Sequence, residues 1–147
     1  MKITIITIGK LKEKYLVDAA DEYIKRLKPY VTLQIMELPE QRTVDLECDN
    51  LINHLPKDCW ICVLDVYGKM MSSEDFAKTI SDSVLYGQSH LVFVIGGAFG
   101  INDKLRKSAN LCLSLSKMTF THQMTRIILL EQIYRAFKIN RGEKYHW

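Results

Sequence analysis

The stretch Leu91-Val92-Phe93-Val94-Ile95-Gly96-Gly97-Ala98-Phe99-Gly100 decides the fold. Its first five residues are a continuous apolar run and the most strand-like segment of the chain. The glycine-rich turn that follows lies at the carboxyl end of that strand, where open α/β sheets bind ligands. Upstream, Lys2–Ile8, Val31–Leu38 and Trp60–Asp65 are further β-rich runs; downstream, Leu111–Leu115 is a fifth. Helical patterns separate them. Lys12–Leu27 places Tyr15, Leu16, Ala19, Ala20, Tyr23, Ile24 and Leu27 on one face and is stopped by Pro29. Val44–Leu55 is a weaker helix that ends at Pro56. Ser72 is an N-cap for a helix from Ser73 to about Tyr86, with Glu74 and Asp75 suited to the positive end of its dipole. Asn102 caps a short helix over Asp103–Ser108, and His122–Ile139 is the longest helix. Strand and helix alternate throughout. The pattern predicts one α/β domain over residues 1–147, with a mostly parallel sheet and helices on both faces.

Composition narrows the function classes. The 147 residues carry a net charge of +3 and 48% hydrophobic residues, which excludes a disordered chain. No apolar stretch approaches the ~20 residues of a membrane helix. Ile3–Ile8 is too short for a signal-peptide core, so a cytoplasmic protein with no membrane partner is expected. Cys48, Cys59, Cys62 and Cys112 then read as reduced thiols. Cys59-Trp60-Ile61-Cys62 has C-x-x-C spacing, but it falls in or beside a strand, where the two thiols point to opposite faces. His54, His90, His122 and His146 lack metal-ligand spacing, so no metal is expected.

Charge is uneven along the chain. Residues 117–147 hold six Lys/Arg against Glu131 and Glu143, a sum of +4 that leaves −1 for the rest. A basic terminal quarter suits an anionic partner, of which nucleic acid is the commonest large one; a solvated charged face is the alternative. The last helix is apolar around its whole circumference, from Met124 through Ile139. It therefore needs cover on more than one side, from a second copy in a homodimer or from within the monomer.

Three segments can carry chemistry. Gly96-Gly97-Ala98-Phe99-Gly100 lets a backbone approach a ligand, or simply makes a tight turn. It is not a dinucleotide fingerprint, because the spacing differs and no acidic residue follows about twenty positions on. Leu113 to Phe120 joins the last strand to the last helix at the same end of the sheet, beside Leu64-Asp65, and the three strand ends form a cleft an adenosine could enter. The third is the basic tail: His122, Arg126, Arg135, Lys138, Arg141, Lys144, Tyr145 and His146. Arginine forks suit phosphate, and Tyr and His can stack on an extruded base. Glu131 and Arg135, spaced i,i+4, can instead pair with each other.

Together these residues resemble a known family. Leu64-Asp65-x-x-Gly68-Lys69 followed by Ser72 to Ala77, Val94 to Gly100, Leu113 to Phe120, His122-Gln123-x-x-Arg126, Glu131-Gln132-x-Tyr134-Arg135-Ala136 and Tyr145-His146 look like the bacterial ribosomal RNA large subunit methyltransferase H family, of the SPOUT class. The resemblance spans essentially the whole chain. It implies a homodimer with a trefoil knot in the C-terminal part of each chain, and S-adenosylmethionine as methyl donor. It also implies N3 of a pseudouridine in 23S rRNA of the assembled 70S ribosome as acceptor. By motif position, the donor site falls on Leu64, Gly96, Leu115, Ser116, Lys117, Met118, Thr119 and Phe120. RNA contacts fall on His122, Arg126, Arg135, Lys138 and Arg141, and catalysis on His146, Tyr145, Arg135 and His122. Thr121 and Lys144 stand where the family commonly has proline. The competing expectations are a non-catalytic RNA-binding module and a nucleotide-dependent oxidoreductase, the latter disfavoured by the missing ribose-binding acid.

Overall fold

A computed structural model describes residues 1–145. The elements alternate throughout: β1 (Lys2–Ile8), α1 (Lys14–Leu27), β2 (Thr32–Leu38), α2 (Val44–Asn53), β3 (Trp60–Met70), α3 (Ser73–Leu85), β4 (His90–Ile95), α4 (Asp103–Ser108), β5 (Leu111–Ser114) and α5 (His122–Asn140). The strands form one wholly parallel sheet in the order β2-β1-β4-β3-β5. The α/β expectation holds, and β4, the strand that decided it, lies at the centre.

The apolar run of β4 follows from cover on both faces. Leu91, Phe93 and Ile95 point to a cluster with Ala20 and Leu27 of α1, Phe76 and Ile80 of α3, and Leu129 and Ile133 of α5. Val92 and Val94 point the other way, against Cys48 and Leu51 of α2 and Leu105 of α4. A strand buried on both sides has no polar face to alternate with. The C-x-x-C cysteines divide between the same two clusters, Cys62 in the first and Cys59 against the second. Burial pushes both thiols up, as suits structural cysteines.

Two features depart from the periodicity. The third strand runs past Asp65 to Met70, and its register slips so that both Leu64 and Lys69 oppose Leu113 of β5. Residues 65–68 bulge between them, and Gly68 is needed there: a Cβ would lie 2.5 Å from the Cys112 carbonyl oxygen. The second departure is α5. It packs on the sheet between α1 and α3, with Leu129, Leu130, Ile133 and Ala136 fully buried and Ile127, Tyr134, Phe137 and Ile139 packed partly against them. The chain itself supplies most of the cover, so the helix's apolar circumference does not require a second subunit. No helix among the described residues is long and apolar enough to cross a membrane.

Candidate functional site

The bulge within β3 and the loops after β4 and β5 line a cavity of about 690 Å³. That volume suits a small organic ligand. Leu64, Gly96, Leu115, Ser116, Met118, Thr119 and Phe120 line it, together with His122 at the start of α5. Lys117 does not line it. The Ser116 hydroxyl accepts the Met118 N–H at 3.0 Å, and Ser114 donates to the Ser116 carbonyl at 2.9 Å. Lys117 sits at the outer corner of this turn, exposed to solvent.

The glycine segment is both a tight turn and a cavity wall. Gly100, at φ +81°, donates its N–H to the Gly97 carbonyl at 3.1 Å. Gly96 has no room for a side chain, since a Cβ would lie 2.7 Å from Ile101 Cγ2 and 2.8 Å from the Gly100 oxygen. Its requirement for glycine comes from the turn itself.

Asp65, placed at the cleft by the sequence, and Arg106, which the sequence did not single out, also line the cavity. Asp65 is buried; it accepts the Tyr67 N–H at 3.1 Å and the Arg106 Nε–H at 2.9 Å. Arg106 also donates to Asp103 at 2.8 Å. Its pKa rises, chiefly through the hydrogen bond to Asp65. Both partners are occupied, so the guanidinium is not a free clamp for phosphate. The strand-end position of Asp65 was legible in the sequence, but nothing local links it to Arg106, 41 residues away.

The basic tail is less free than its charge count suggests. Arg126 is a correction: its side chain is only 4% exposed, donating to Glu37 at 2.7 Å and to the Gly9 carbonyl at 3.0 Å. It ties α5 to the ends of β1 and β2 and presents no charge to a phosphate. Arg135 donates to Glu131 through Nε at 3.1 Å and through Nη2, so the i,i+4 pairing forms. Its guanidinium lies 4.1 Å over the ring of Tyr145, which in turn stands edge-on to Tyr134. Glu131 raises the Arg135 pKa, and burial is the main cause that pushes the Tyr145 hydroxyl up. Lys138 donates to Glu143 at 2.6 Å, while Arg141 lies 4.6 Å over the ring of Tyr30. His146 lies outside the described residues. Among those described, no group of three or more His, Cys, Asp or Glu is placed to hold a metal ion.

A family model described as "Predicted SPOUT methyltransferase" matches residues 1–146. The chain belongs to the SPOUT methyltransferases. It is 48% identical to the ribosomal RNA large subunit methyltransferase H of Clostridium novyi (strain NT) and 44% identical to that of Halothermothrix orenii, with 99% of each chain covered in both matches. These relatives place it in the methyltransferase H family. Its fold is similar to that of a "probable methylase family protein" from Haemophilus influenzae Rd KW20 at a TM-score of 0.58 and 12% identity, covering 99% of this chain and 70% of that one.

In this SPOUT methyltransferase the residues expected to act in catalysis fall in two places. His122 is at the cavity. Arg135 and Tyr145 meet at the other end of α5, thirteen residues on, or about 20 Å at the helical rise.

Proposed function

We propose that the chain, as a single domain over residues 1–147, transfers a methyl group from S-adenosylmethionine to N3 of a pseudouridine in 23S rRNA. It would act on assembled ribosomes in the cytoplasm as a homodimer. A C-terminal trefoil knot, through which the loops after β4 and β5 come together, belongs to the same reading. The observation that carries the proposal is the strand-end cavity, which a module that only bound RNA would not need. The full-length relatives named for ribosomal RNA of the large subunit support the acceptor class.

The residues present fit the donor. The cavity is walled by Leu64, Leu115, Met118 and Phe120 and by glycine backbone, which suit an adenosine and a thioalkyl chain. Among the described residues, the one arginine that lines it, Arg106, is paired with Asp65 and Asp103 and is not free to clamp the phosphates of a dinucleotide. Bound there, S-adenosylmethionine supplies a methyl group already activated on a sulfonium. The protein's task is alignment, water exclusion and the acceptor's proton. Pseudouridine N3 must lose its imide proton as its lone pair takes the methyl and the carbon–sulfur bond breaks, leaving a neutral thioether. His122 or His146 could receive that proton, because imidazole titrates near neutrality. Arg135 could instead stabilise the anionic base.

The distance between cavity and tail supports the homodimer. A two-fold pairing with α5 antiparallel to its mate would bring Arg135 and Tyr145 of one protomer to the cavity of the other. The test is calorimetric titration with S-adenosylmethionine, followed by methylation of free 23S rRNA and of intact ribosomes, with the product base mapped. Donor binding and label on a pseudouridine of intact ribosomes support the reading. Ribosome binding without donor binding would make the chain a non-catalytic module.

A further inference from the structure

Glu47 of α2 has no part in the chemistry above, yet its surroundings are unusual. The side chain is buried, with the residue 2% exposed. Oε2 accepts the Gln41 N–H at 3.0 Å, while Oε1 is buried and has no hydrogen-bond partner. Among the described residues no lysine, arginine or histidine pairs with it. A buried carboxylate oxygen without a donor is costly, so something must offset it when the protein works.

Its position shows where to look. A Cβ on Gly97 would lie 2.7 Å from Glu47 Oε1 and 3.1 Å from Ile8 Cγ2. Gly97 is therefore glycine because the carboxylate fills the space of its side chain. Gly97 also lines the strand-end cavity, so Oε1 is one backbone thickness from the ligand space. The carboxylate that does line the cavity, Asp65, is paired with Arg106. Asp45 and Asp49, on the same helix as Glu47, are engaged by Asn102 and Lys104. Among the described residues, Glu47 is thus a carboxylate without a cationic partner, set directly behind the cavity wall at Gly97.

We propose that Glu47 is a specificity-determining residue that gives the glycine wall a negative potential and selects a cationic sulfonium donor over its neutral thioether product. This rests on the cavity being the donor site. A charge buried behind a thin wall acts across it with less screening than one in open solvent. The site would then hold the donor until transfer and release the product once the positive charge is gone.

The test is calorimetric binding of S-adenosylmethionine, S-adenosylhomocysteine and sinefungin, whose protonated amine stands where the sulfonium does. Wild-type protein should prefer both cations to the thioether by about tenfold, or about 1.4 kcal/mol. Glu47→Gln keeps the volume and an acceptor for Gln41 but removes the charge. It should abolish most of that preference while leaving thioether affinity nearly unchanged. A merely structural role would weaken all three ligands in parallel, and that result overturns the proposal. So does a wild-type protein that binds the thioether as tightly as the donor, a comparison that stands even if Glu47→Gln does not fold. If the wild type binds none of the three, the donor-site reading itself fails and takes this proposal with it.

Discussion

Thr121 and Arg126 show how single residues at the start of α5 are used. The Thr121 hydroxyl accepts the Met124 N–H at 3.2 Å and caps the helix. Proline, common in the family at this place, has no side-chain oxygen for the purpose. Thr121→Ala should cost about 1 kcal/mol, read as a lower urea midpoint at unchanged slope. Arg126→Ala removes two charge-assisted hydrogen bonds that join α5 to β1 and β2. It should cost roughly 2 kcal/mol. A phosphate-binding role would give the opposite pattern, with full stability and weaker ribosome binding at low salt. Both sites were visible in the sequence as a threonine before a helix and an arginine on it. The cap is local and could be read there. The partner of Arg126 is 89 residues away, and no helical spacing announces it.

At the scale of elements, the sheet carries a pH dependence. His90 opens β4 and its Nε2 lies 2.8 Å from the Thr4 hydroxyl of the neighbouring β1. Burial, then the charge of Lys2, lowers its pKa below the ordinary 6.5. The unfolded chain therefore takes up this proton more readily than the native one. The contribution to stability is present above about pH 6.5 and is lost as pH falls through the depressed pKa. Melting temperatures from pH 7 to pH 5 should drop less for His90→Asn than for wild type; equal slopes would remove His90 as the cause. Most element boundaries were legible because period and caps are local properties. The extension of β3 was not, because residues 65–68 break the alternation and join the strand only through the bulge against β5.

For the whole molecule, the separation of cavity and tail makes a test of assembly. Leu115→Trp, which fills the cavity, and Arg135→Ala, at the tail, should each be nearly inactive alone. Mixed and allowed to exchange subunits, they should recover about a quarter of wild-type methyl transfer, since half the dimers are mixed and each has one intact site. No recovery, with exchange shown by sedimentation of tagged subunits, would mean that each chain completes its own site.

The sequence by itself determined the alternation of strands and helices, the parallel sheet, the strand ends where the cavity lies and, through jointly specific motifs, the family. These follow from periodicity, caps and glycine turns, each of which acts over a few residues. Only the tertiary structure decided what each charge faces. It turned Arg126 inward to Glu37, cancelled Asp65 with Arg106, and set the unpaired Glu47 behind Gly97. A charged side chain is a phosphate clamp, a strut or a field source according to its partner, and here those partners come from other elements folded beside it.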